Sequence, residues 1–145
     1  MRQEWKRHAL GEEENNMRKI IEVPYINQSV SYPTGCESVS ATMLLQYLGY
    51  EITVDEFIWN YVPCVPMQER DGQLYGPDPR KAFCGSPYDK DSFGCYAPVI
   101  CEALQKAVGD KYRVVDETGT SMQELIQRYI CLLYTSPSPR DRQKS

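Results

Sequence analysis

Five prolines stand between Val62 and Gly94, at Pro63, Pro66, Pro77, Pro79 and Pro87, with Gly72, Gly76 and Gly85 among them. Proline fixes φ and lacks an amide donor, so neither a helix interior nor a central strand can run through such a stretch. The spacing predicts a long irregular insertion. A loop of that length inside a compact domain is usually functional or mobile. Regular structure is thereby confined to the segments on either side.

On the N-terminal side, Lys19 to Val23 (KIIEV) is a short apolar run closed by Pro24 and suits an edge strand. Tyr25 to Gly35 is rich in turn formers and reads as a loop. Cys36 to Leu48 carries apolar residues at Val39, Met43, Leu44, Tyr47 and Leu48, a helical spacing, with Gly49 where a helix C-cap falls. Thr53 and Glu56 form a capping-box pattern that opens a helix to about Tyr61. Beyond the insertion, Cys95 to Val108 reads as helical from about Pro98, since proline is tolerated in a first turn, and Gly109 follows its last apolar position. Tyr112 to Asp116 (YRVVD) reads as a strand, and Ser121 with Glu124 makes a second capping box before MQELIQRYI. Strands do not alternate regularly with helices, so the expected class is α+β. A sheet should follow the last helix, and the strands present are too few to build it.

The net charge of −4 and the lack of a basic patch argue against a nucleic-acid partner. No run approaches the roughly 18 apolar residues that cross a membrane, and no apolar segment behind the basic N-terminus marks a secretory signal. Residues 1–18 read as a loose charged leader. Residues 131–145 (CLLYTSPSPRDRQKS) shift abruptly to Ser, Pro and Arg and resemble a translated transposase-type sequencing adapter. They are read as a non-native tail, which leaves residues 19–130 as the domain, with its last helix ending at Ile130. The six cysteines form no Cys-x-x-Cys pair, and the only histidine is His8. No metal site, cofactor or disulfide framework is expected from that pattern. Cys64, Cys84, Cys95 and Cys101 read as small buried hydrophobes, and Asp78, Asp89 and Asp91 as solvated loop charges.

Chemistry concentrates in Asn27 to Gly49. Cys36 follows a Pro-Thr-Gly turn and opens an amphipathic helix. The thiolate is the nucleophilic form, and a helix N-terminus favours negative charge. That position is expected to lower a thiol pKa from its ordinary value of about 8.5. Gly35 lets a substrate backbone approach closely. Gln28, eight residues earlier, offers an amide that, with the backbone N–H of the nucleophile, can hold a developing oxyanion. Loss of one such donor costs about 10²–10³ in turnover. Phe93 and Tyr96 are candidates to line a substrate cleft, because loops carry sites disproportionately. Cys95 also precedes a helix, but Pro98 opens that helix later and no glutamine donor lies nearby.

The segments VPYINQ, PTGCESVSATMLLQYLGY, FGCYAPVI and DETGTSMQEL resemble the double-glycine (bacteriocin-leader) peptidase-like family, cysteine peptidase family thirty-nine, within the papain-like superfamily. The resemblance covers about Ile20 to Ile130. It implies a papain-like α+β fold with the helical half present and most of the antiparallel sheet missing. It implies Cys36 as nucleophile and Gln28 as oxyanion donor, acting on peptide bonds of a peptide or protein substrate through a thioester. The family's general-base histidine, and the Asp or Asn that orients it, lie on strands beyond the last matched helix, where this sequence has neither. Two alternatives stand beside hydrolysis: a non-catalytic peptide-binding module and a thiol acyltransferase.

Overall fold

The computed structural model describes residues 20–135, and the side chains of 20–128. The charged leader with His8 and residues 136–145 of the tail lie outside the described residues. Helix α1 spans Cys36–Tyr47 and α2 spans Val54–Tyr61. Short strands follow: β1 (Cys64–Val65), β2 (Gln68–Arg70), β3 (Gln73–Tyr75) and β4 (Phe83–Cys84). Helices α3 (Ala97–Val108) and α4 (Met122–Thr135) complete the order. Helices α1, α2 and α3 pack on one another, and the strands segregate into the stretch between α2 and α3, which makes the fold α+β.

Local chemistry sets the helix ends. At the close of α1, the Gly49 N–H donates to the Gln46 carbonyl (3.1 Å) and the Tyr50 N–H to the Leu45 carbonyl (3.0 Å), with Gly49 at φ +98°. This is a Schellman motif, which satisfies two orphan carbonyls and needs a left-handed residue. Both sides of the Thr53–Glu56 capping box are made, and Ser121 and Glu124 repeat the exchange before α4. Each cap contributes about 1 kcal/mol. Helix α4 continues to Thr135, past the expected end at Ile130.

Helix α1 buries Ser38, Val39, Ala41, Thr42 and Leu45, while Leu44, expected on its apolar face, is exposed. The reason is that α1 serves two clusters. Ala41 and Leu45 join Phe57, Phe83, Val99, Ala103 and Val108, whereas Val39 joins Val54 and Ile58. A helix covered on more than one side favours small residues where partners approach closely.

Two expected strands are not formed. Residues 20–23 and 112–116 have no regular structure among the described residues, because neither run meets a neighbouring strand to pair with. Residues 112–114 are instead held by Gln105, whose amide nitrogen donates to the Gly109 and Tyr112 carbonyls while its oxygen accepts from the Val114 N–H (each 2.9 Å). The insertion is more ordered than its prolines suggested. Strands β2 and β3 form a hairpin across Asp71-Gly72, both at positive φ (52° and 76°), the geometry of a type I′ turn. Strands β1 and β4 pair in parallel, with Cys64 opposite Phe83 and Val65 opposite Cys84.

Candidate active site

The loop before α1 folds back in two turns. The Tyr32 N–H donates to the Gln28 carbonyl (2.9 Å), and the Gly35 N–H to the Tyr32 carbonyl (3.0 Å). The Thr34 hydroxyl donates to the Ser86 and Asp89 carbonyls (3.1 and 2.7 Å), clamping the Pro-Thr-Gly turn onto the insertion. Gly35 is buried there, and a Cβ on it would lie 3.0 Å from the Tyr32 Cβ and 3.2 Å from the Pro87 Cβ, so close packing selects glycine. The Tyr32 and Tyr88 hydroxyls both donate to Asp55 Oδ1 (2.9 and 2.6 Å), tying the same loops to the first turn of α2. A groove of about 390 Å³, lined by Trp59, Cys64, Pro87 and Tyr88 among others, shares Pro87 with this turn.

Cys36 is the first residue of α1, and its thiol is exposed. Its S–H donates to Glu37 Oε2 at 3.3 Å. The expected acidification is reversed. Partial desolvation by the surrounding chain pushes the thiol up first, and the Glu37 carboxylate adds a hydrogen bond and a like charge. The backbone N–H groups of Cys36 and Glu37 pull the other way, which is the helix-start effect anticipated from sequence, and they are outweighed. The signal for this in the sequence is Glu37 itself, directly after Cys36, because a carboxylate beside a thiol opposes formation of the thiolate.

The other candidates fall in two groups. Phe93 and Tyr96 flank Gly94-Cys95 and are 69% and 59% exposed, open enough to meet a ligand. They are joined to the start of α1 through Glu37, whose Oε1 accepts from the Cys95 N–H at 3.3 Å. Gln28 is half-buried, and its side-chain amide makes no hydrogen bond to Cys36 among the described residues, where the thiol engages Glu37 instead. Cys95 is half-buried and pushed up to about 12, by burial first and then by the Glu37 charge, so it is a poor rival nucleophile. All five described cysteines are free thiols. Among the described residues, no group of three or more His, Cys, Asp or Glu side chains could hold a metal, and no helix is long and apolar enough to cross a membrane.

An α+β domain with a cysteine at the first position of a helix, held behind a clamped glycine turn, has the arrangement of the papain-like cysteine peptidases. Within that class, residues 20–132 match the Peptidase C39-like family, and the chain belongs to it. It is similar to the uncharacterised protein YvpB of Bacillus subtilis (strain 168), with 35% identity over 94 residues, 65% of this chain and 36% of that protein. It is also similar to a crystal structure from Bacillus anthracis described as a C39-like peptidase, with a TM-score of 0.60 and 29% identity, covering 73% of this chain and 51% of the other. The chain thus spans about half or less of the length of these relatives.

Proposed function

We propose that this chain carries a cysteine peptidase-like domain directed at peptide bonds, with Cys36 as nucleophile. The observation that supports it is the exposed thiol at the first helical position, directly behind the buried Gly35. In the reaction, Sγ bonds to the scissile carbonyl carbon as its proton passes to a base. The resulting oxyanion accepts from the Cys36 backbone N–H and from the Gln28 amide, once that side chain turns toward the thiol. Collapse of the tetrahedral intermediate expels the amine, which takes a proton, and leaves a thioester that water hydrolyses. An amine in place of water makes the same thioester an acyl-transfer intermediate.

The described residues contain no histidine, and His8 lies outside them. A thiol pushed up by partial desolvation and by Glu37 needs such a base to react at neutral pH. Peptide binding without turnover is therefore the behaviour expected of residues 20–135 alone. A peptidyl chloromethyl ketone, followed by peptide mapping, tests the reading. Cys36 should be modified faster than Cys64 or Cys101, with a rate that saturates as the peptide reagent is raised. Equal, non-saturating modification of the three thiols defeats the nucleophile assignment. Release of amine from a reporter peptide separates a hydrolase from a binding module.

A further inference from the structure

We propose that Glu37 is a positioning residue that fastens the Phe93–Tyr96 wall to the start of the nucleophile helix. The proposal rests on the reading of Cys36 as nucleophile. One carboxylate oxygen receives the Cys36 thiol at 3.3 Å and the other receives the Cys95 N–H at 3.3 Å, across 58 residues of chain. A glutamate in a first helical turn is ordinarily explained by the helix dipole alone. Two features go beyond that explanation. Both oxygens are engaged, one of them by a backbone group from a distant segment. The space for the carboxylate is also built: Gly94 is buried at φ +95°, and a Cβ there would lie 2.9 Å from Glu37 Oε1. A side chain at position 94 would therefore be strained in backbone and would displace the carboxylate at once.

The same segment has a second anchor. The Phe93 N–H donates to the Cys84 carbonyl (3.0 Å) and the Cys84 N–H to the Gly94 carbonyl (2.9 Å). Loss of the Glu37 contact should therefore loosen the wall without unfolding the chain. Its exposed aromatic residues would then lose their fixed distance from the thiol, which is the distance a bound peptide must span.

Amide hydrogen exchange on the full chain tests this, with E37A and E37Q compared. In E37A the Cys95 amide should exchange about tenfold faster or more, the effect of losing a charge-assisted hydrogen bond. The Tyr50 amide, bonded to the Leu45 carbonyl, serves as a remote control and should not change. E37Q keeps an oxygen acceptor and should restore most of the Cys95 protection. Having lost the charge that opposes thiolate formation, it should also be alkylated at Cys36 faster than wild type at pH 8. Unchanged Cys95 exchange in E37A overturns the proposal, as does E37Q behaving like E37A at that amide. Should E37A also lose protection at Tyr50, the Gln variant decides alone. Failure of the peptidyl reagent to select Cys36 removes the nucleophile and leaves the exchange result standing, so the two readings fail separately.

Discussion

Two Gly-Cys pairs precede two helices in this protein, and they make opposite kinds of site. At Gly35-Cys36, the cysteine is the first helical residue and its thiol is exposed. At Gly94-Cys95, the helix begins only at Ala97, Pro98 occupies its first turn, and the cysteine is half-buried with its N–H given to Glu37. The difference is one of register. A shift of two residues relative to the helix start moves a thiol from the dipole's end into a packed wall. A Gly-Cys dipeptide ahead of a helix is therefore no guide to reactivity until the N-cap is placed.

The most damaging way to erase the contrast is to remove what supports both sites. Phe83 is fully buried in the cluster that also holds Ala41 of α1 and Val99 of α3. F83A should cost about 3–5 kcal/mol in a denaturant titration, and Cys36 and Cys95 should then be alkylated at similar rates. Native-like protection of Cys95 in that variant would show that its burial does not depend on the shared core. A smaller break uses the two glycines. G94A meets both a positive φ and the Glu37 carboxylate and should cost about 1–3 kcal/mol. G35A, at φ −101°, faces only close side chains, which can shift by a few tenths of an ångström, and should cost less when the two melting temperatures are compared.

Titration sharpens the contrast further. The Cys95 thiol has its folded pKa pushed up to about 12, above an unfolded value of about 8.5. The stability held in the protonated form is complete below the unfolded value and is lost as pH rises toward the folded one. Thermal stability should therefore fall between about pH 8.5 and 12, and C95A should flatten that fall. An unchanged slope would assign the alkaline loss to other groups. The smallest expected effect lies beside Cys36. The Ser38 hydroxyl is buried without a hydrogen-bond partner among the described residues. S38A should therefore raise stability by about 1 kcal/mol, read as a higher denaturation midpoint, because an unsatisfied buried hydroxyl carries a desolvation cost.

The helices were legible because their signals are local: Thr53 with Glu56, Ser121 with Glu124, and the glycines after α1 and α3. Strands failed for the converse reason. KIIEV and YRVVD have strand composition, but a strand exists only where another chain segment supplies its ladder, and among the described residues none does so for 20–23 or 112–116. The β2–β3 hairpin had a local signal in Asp71-Gly72, masked by the surrounding prolines. The parallel pairing of β1 with β4 had no such signal. In the site, the place of Cys36 was readable. The sign of its shift turned on the next residue, and the reach of Glu37 to Cys95 depends on tertiary structure that no local pattern encodes.

The fastenings around Cys36 also imply an order of assembly. Tyr32 reaches Asp55 across 23 residues, whereas Thr34 reaches Asp89 across 55 and Cys95 reaches Glu37 across 58. The two longer fastenings span about as much chain as the packing of α3 on α1, so they close together with that docking, whereas the shorter one can close earlier. The Gly35 turn and the Gly94-Cys95 segment are thus held to the packed helices by a few polar contacts each, and segments held in that way open locally at less cost than the helices unfold.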